Sequence, residues 1–321
     1  TTEIYTLSLH DALPISGATL NTQNRLTLRS NATGTARVAE IPANPTTGAA
    51  LGTITGNVTV ERFISAQRAW RLLAVPTAGS QTIRQSWQEN QPQGSTSLSG
   101  RGFQISGETF PANGFDMLST VPSVKVWDPS IANYTGITST LTPIVSDAAY
   151  MTFIRGDRTI NYVTSSATTT ILRTSGTLKT GKYPSSALTV NAGEFRAIGN
   201  PYASAIDFNK LTRTGGVPNT FYVWDPKLTT GPSSTYGFGG FRTITWDSGS
   251  GTYIVTPSGG SYTTNTLIES GSGFMVYAPI SSGTIQFTED AKSDGSNLVS
   301  RVSSRASGKQ IRLNLFTISA G

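Results

Sequence analysis

The stretch AWRLLAVPTAGS, residues 69–80, returns in altered form as EFRAIGNPYASA, residues 194–205. In each, an aromatic–arginine pair leads an apolar run into a proline: Trp70-Arg71 into Pro76, and Phe195-Arg196 into Pro201, 125 residues later. Further along, Tyr150-Met151-Thr152-Phe153 matches Phe274-Met275-Val276-Tyr277 at a spacing of 124, and Thr159-Ile160 matches Thr284-Ile285 at 125. Between these lie VKVWDP (124–129) and FYVWDP (221–226), only 97 apart. Insertions at different corners reconcile the spacings. The first copy inserts before its Trp-Asp-Pro, around QPQGSTSLSGRGFQISGETF, and the second after it, through KLTTGPSSTYGFGGFRTITWDSGSGTY. A repeated period of this kind is read before any local structure. The chain carries one unit twice.

Each copy reads alike at the local level. Pro76 and Pro201 lack a ladder donor and so mark a strand end. In the first copy Thr82 and Gln85 fit a capping box with Trp87 on the apolar side of a short helix. In the second, Ser204 is expected to cap, with Asp207 near the helix start ahead of Phe208 and Leu211. A β-branched and aromatic strand then enters the Trp-Asp-Pro, and a closing hairpin follows. Alternation places Tyr150, Thr152 and Ile154 on one face of that hairpin and Met151 and Phe153 on the other. The pattern predicts an all-β fold: two tandem related β-sandwich or jelly-roll-like units with one short helix each. Residues 17–62 are N-terminal strands, either the last rungs of a β-solenoid or the first strands of the sandwich. The units cover 63–165 and 191–289, with bridging strands over 166–190. A Ser/Gly/Asp/Lys-rich linker spans 290–309, and 310–321 begins a further module.

Composition narrows the chemistry. Charged residues make up 13 % of 321, about half the usual share, and Thr, Ser, Gly and Asn take their place, as suits short strands joined by tight turns. The net charge of +6 is basic, yet the arginines are dispersed rather than gathered in a stripe, so nucleic acid is not expected as a partner. There is no cysteine and one histidine, His10. His10 sits in TTEIYTLSLHDALPI, residues 1–15, which resembles a translated sequencing adapter with Ser16 at the junction; residues 1–16 are therefore set aside as non-native. On that reading the true N-terminus is missing, and disulfides, cysteine metal sites, thiol nucleophiles and histidine acid–base chemistry are all excluded. No run of 18 apolar residues marks a membrane span.

Certain phrases extend the reading to a family. GNVTVERFI, RAWRLLAVP, YMTFIRGDRTI, GTLKTG, AIGNPYASAIDF and FYVWDP resemble recurrent phrases in large secreted surface proteins of Gram-negative gliding bacteria, the kind exported by type IX secretion. The resemblance covers roughly residues 17–316. It implies an extracellular or cell-surface location and, beyond the linker, a further β module and a C-terminal sorting domain. It implies no catalytic residues.

Candidate sites follow. Trp127-Asp128-Pro129 and Trp224-Asp225-Pro226 stand at equivalent points, which favours a structural motif over sugar stacking: Asp-Pro starts a turn and the tryptophan packs inward. Pro76 and Pro201 join them as structural markers. Arg155-Gly156-Asp157 lies at the turn of the expected hairpin and is absent from the second copy. The acids Glu61, Glu89, Glu108, Asp116, Asp147, Glu194, Asp207, Asp247 and Glu269 are spread singly, and only Glu289-Asp290 adjoin, so spacing selects no glycosidase pair. Asp290, Asp294 and Asn297 lack the register of a calcium loop. No metal site, cofactor or catalytic residue is expected. The long aromatic loop of the second copy is the best binding candidate: Tyr236, Phe238, Phe241, Trp246, Asp247 and Tyr253 gather in a polar, Gly-rich setting.

Two functions fit. The first is a non-catalytic structural or adhesive segment of a large secreted cell-surface protein, binding surface polysaccharide or another surface protein through aromatic loops. The alternative is an accessory, carbohydrate-binding region of a secreted polysaccharide-degrading enzyme. In either case the remainder of its own longer chain is a partner.

Overall fold

The computed structural model describes residues 17–92, 99–160, 166–228, 239–258 and 266–295. The chain is all-β. In the first unit one sheet runs, in spatial order, Asn133–Gly136, Val124–Asp128, Tyr150–Ile154, Ala69–Leu73, all antiparallel. The second unit repeats that order as Gly240–Asp247, Thr220–Asp225, Gly273–Tyr277, Phe195–Gly199, and adds Thr252–Thr256 at the edge. Across each core lies a second sheet. Val58–Ile64 pairs antiparallel with Thr170–Leu178 in the first unit, and Tyr183–Val190 with Gly283–Phe287 in the second. In the sheets that face each other, the strand order of one unit is the order of the other.

These pairings change three expectations. Tyr150–Ile154 and Gly273–Tyr277 do not open hairpins, because the next strand of each unit crosses to the opposite sheet to cover the other side of the core. The counterpart of Gly283–Phe287 in the first copy is therefore Thr170–Leu178, not the Thr159-Ile160 turn. The segment read as a bridge, 166–190, is shared out: Thr170–Leu178 completes the first sandwich and Tyr183–Val190 opens the second. The linker begins later than 290, since Lys292–Ser293 pairs with Ala205–Asp207. Burial of that polar stretch is made possible by Glu289, which accepts from the Ile41 and Gly181 amides at 2.7 Å each and pairs with Lys292 at 2.7 Å.

Helical structure differs between the copies. The capping box forms as read: Thr82 caps helix α1 (Ile83–Trp87), and Ile83 and Trp87 are buried. At the equivalent point the second unit has instead a 3₁₀ turn, Phe208–Lys210, capped by Asp207, while Ser204 is buried and bonds Ser293. Ala205–Asp207 is drawn into a strand, which leaves no room for a longer helix. At the N-terminus, Thr19–Asn21 stacks parallel on Thr53–Thr55 and Leu26–Leu28 on Val58–Ile64, as solenoid rungs do. Val58–Ile64 also belongs to the sandwich, so both expected arrangements occur in one segment.

Alternation decides how the units meet. Leu73, Val124, Tyr150 and Ile154 face the first core, with Ile64 and Leu172 opposite. Ile198, Phe221, Val223, Phe274 and Val276 face the second, with Ile285 and Phe287 opposite. The residues between them face the other way: Trp70, Leu72, Trp127 and Met151 from the first unit, Phe195, Ala197, Tyr222, Trp224, Phe241 and Met275 from the second. They form one apolar cluster between the two sheets. Runs such as YMTFI and FYVW carry apolar residues on both faces because these strands are buried on both faces.

The contact obeys a pseudo-two-fold axis. Trp127 Nε1 donates to the Phe195 carbonyl at 2.9 Å, and Trp224 Nε1 donates to the Trp70 carbonyl at 2.8 Å. The Ala74 amide donates to Gly271 and the equivalent Gly199 amide to Asp147, both at 3.0 Å. Small residues line the axis: a Cβ on Gly199 would meet Ala148 O at 2.5 Å and Ala74 Cβ at 2.8 Å, and one on Gly273 would meet Ala149 Cβ at 2.5 Å. Each tryptophan hydrogen bond contributes about 1 kcal/mol, whereas a large apolar side chain taken from water contributes about 1.5–3 kcal/mol. Packing supplies the energy of the interface, and the hydrogen bonds set its register.

Candidate functional site

The Trp-Asp-Pro residues are structural. Trp127 packs edge-on against Tyr134 and Phe195, and Trp224 against Phe241. Asp128 Oδ1 accepts from the Ser130 amide and hydroxyl, and Asp225 Oδ1 from the Lys227 amide, the local turn bonds expected of Asp-Pro. Asp225 also holds buried Arg242 at 2.7 Å. Pro76 and Pro201 are buried and follow the Ala69–Leu73 and Phe195–Gly199 strands.

Arg155-Gly156-Asp157 is not presented to solvent. Asp157 is buried, and its carboxylate accepts from Thr159 and the Gly100 amide. Three of the scattered acids, Glu89, Asp116 and Glu269, prove to be countercharges. Asp116 holds Arg158 through both oxygens at 2.8 Å, and also accepts from Gln88 and the Ile105 amide. Glu269 pairs with Arg62 across the two units. Among the described residues no group of His, Cys, Asp or Glu is placed to hold a metal.

The aromatic candidates separate. Tyr236 and Phe238 lie outside the described residues. Phe241 is not a surface aromatic: it belongs to the cluster between the units, because it alternates with Arg242 onto the inter-sheet face. Trp246, Asp247 and Tyr253 do come together. Gly240–Asp247 and Thr252–Thr256, the described part of this region, form a hairpin in which Trp246 lies opposite Tyr253, their rings 5.3 Å apart, and Trp246 is 41 % exposed. Tyr253 donates to Asn209 and packs against the second core, and burial raises its pKa. Asp247 shapes the turn. The Ser250 side chain, with the Gly249 and Ser250 amides, holds its carboxyl below the usual aspartate value.

A second site was not legible in the sequence. The outward face of the sheet formed by Leu26–Leu28, Val58–Ile64 and Thr170–Leu178 is the floor of an open cleft of about 760 Å³. Thr27, Thr59, Glu61, Ile171, Arg173 and Ser175 pave it; Gln81, Gln85 and Glu89 from α1 and its flanks form one wall, with Arg101 beside them. Arg29 and Asn31 stand on the far side. Glu61 accepts from the Ser30 amide at 3.1 Å, and Gln81 accepts from the Ser175 amide at 2.7 Å. Arg173 grips both oxygens of Glu89, at 2.6 and 3.1 Å. Glu89 itself is set by a left-handed backbone, φ 54°. Arg101 is fixed where Gly102 donates to Ile171; a Cβ on Gly102 would meet Trp87 O at 2.7 Å. Arg29 and Arg101 are exposed, and their guanidinium groups take no partner among the described residues. The outward alternation of Thr59, Glu61 and Phe63 was readable, but the strands that meet here are over a hundred residues apart.

Fold and cleft together define a duplicated all-β protein whose two sandwiches pack face to face. A family model described as a domain of unknown function, DUF8693, matches residues 109–312, more than half the chain, and the chain belongs to that family. The match takes in both Trp-Asp-Pro motifs. No curated protein and no solved structure matches the chain. Among the described residues, no helix is long and apolar enough to cross a membrane.

Proposed function

We propose that this chain is a non-catalytic structural and adhesive segment of a large secreted cell-surface protein, touching surface polysaccharide or a partner protein through the hairpin that bears Trp246. The observation that carries this reading is the reciprocal tie of Trp127 to Phe195 and Trp224 to Trp70. The motif shared by both copies holds the units together, and Asp225 within it neutralises buried Arg242. Trp246 is an exposed aromatic free for contact, with Asp247 and Tyr253 beside it. An accessory region of a polysaccharide-degrading enzyme would use the same hairpin.

The test is a glycan array read with the unaltered chain and with Trp246→Ala. The variant is expected to lose the glycan signal while its thermal midpoint is unchanged. An identical profile for the two proteins would discard the hairpin as the contact. Release of reducing ends from any of the glycans by the unaltered chain would discard the non-catalytic reading.

A further inference from the structure

We propose that the cleft on the outer face of the first sandwich binds a stretch of acidic polysaccharide, a chain whose sugars carry carboxylate groups. This deepens the adhesive reading and rests on it, but uses a different surface from the Trp246 hairpin. Four features of the cleft select the ligand class.

First, Arg29 and Arg101 bring to the cleft two guanidinium forks that meet no acceptor among the described residues. A guanidinium matches a carboxylate with two parallel hydrogen bonds. Arg173, by contrast, is committed to Glu89 and serves as a fixed part of the wall. Second, the remaining lining mixes donors and acceptors: Thr27, Thr59 and Ser175 hydroxyls, Gln81, Gln85 and Asn31 amides, and the Glu61 carboxylate. Sugar hydroxyls both give and take hydrogen bonds, so they satisfy such a lining from either side.

Third, Glu61 calls for a donor beside the arginines. Sugar hydroxyls supply one next to each carboxylate of such a chain, while the charge of Glu89 is already met by Arg173. Fourth, Ile171 is the single apolar side chain in the lining. A lipid or an apolar peptide anchor needs a largely hydrophobic pocket, and none is offered. The cleft is also open and floored by a sheet, so a polymer can lie across it without a chain end being engulfed.

The full chain is basic, so any polyanion will adhere weakly to it, and the experiment must separate that background from the cleft. Affinity electrophoresis through gels containing polygalacturonate, dextran or double-stranded DNA is run on three proteins. They are the unaltered chain, Arg29→Ala/Arg101→Ala, and Lys182→Ala/Lys210→Ala. The last removes two exposed charges elsewhere. Polygalacturonate is expected to retard the unaltered chain and the lysine variant alike, with affinity about tenfold or more weaker in the arginine variant, the worth of two charge-assisted contacts. Dextran is expected to retard none of them. Equal loss in the two double variants, or DNA retarding the chain as strongly as polygalacturonate, would reduce the effect to net charge and overturn the proposal. So would the absence of retardation by polygalacturonate. Trp246→Ala is run alongside: loss of array signal there with an intact arginine effect, or the reverse, separates the fate of this site from that of the hairpin.

Discussion

Gly199 and Gly273 show what duplication requires of single residues. Neither has a left-handed backbone, so conformation does not demand glycine; space does. Each lies where one unit meets its counterpart near the axis, against Ala74 and Ala149. Gly199→Val should therefore force the sheets apart and destabilise the chain by about 1–3 kcal/mol, the usual cost of overpacking. Chemical denaturation measures this, and a change within ~0.5 kcal/mol would place the contact elsewhere. The aromatic–arginine pair was legible for the same reason. Trp70 and Phe195 face the partner unit, while Arg71 and Arg196 turn back to bond carbonyls of the strand and turn before them. What the residues alone did not show was direction: Trp127 and Trp224 were read as core residues of their own unit, and each reaches instead into the other.

At the scale of elements, buried ion pairs replace apolar packing where loops were inserted. The insertion of the first unit is fastened by Asp116 and Arg158, both buried, with Gln88 and the Ile105 amide completing the carboxylate. Removing one partner of such a pair leaves an uncompensated charge. Asp116→Asn should cost about 3–5 kcal/mol, seen as a lower denaturation midpoint, while Asp128→Asn at its exposed turn should change little. In the second unit the inserted hairpin depends on Asp247. Its carboxyl titrates below the ordinary aspartate value, so it stabilises the turn above that value, and the contribution is lost as pH falls through its own lower pKa. A proton-detected titration should find the Gly249 and Ser250 amides shifting only there; a midpoint at or above the ordinary aspartate value would contradict the turn geometry. Hairpin and helix boundaries were the least readable features. A β-branched run announces a strand, but the sheet it joins depends on a partner far away, as with Thr170–Leu178 and Val58–Ile64.

For the whole molecule, the strands in the middle are apolar on both faces, and this follows from two sandwiches sharing one buried surface. Ties at the margins reinforce it: Arg62 to Glu269 between the units, and Glu289 to the Ile41 and Gly181 amides. The all-β class and the duplication were available from periodicity and spacing, whereas the expected hairpins gave way to strands that cross to the opposite sheet. The polar cleft was not available, because its lining is drawn from five separated segments whose common property is facing outward. Equilibrium denaturation of the full chain, followed by tryptophan fluorescence and far-ultraviolet dichroism, tests the shared interface most directly. A single coincident transition is expected, lowered by Trp127→Phe and by Trp224→Phe by similar amounts of about 1–3 kcal/mol, the consequence of stranding a buried carbonyl. Two separate transitions, with each substitution shifting only the one belonging to its own unit, would contradict it.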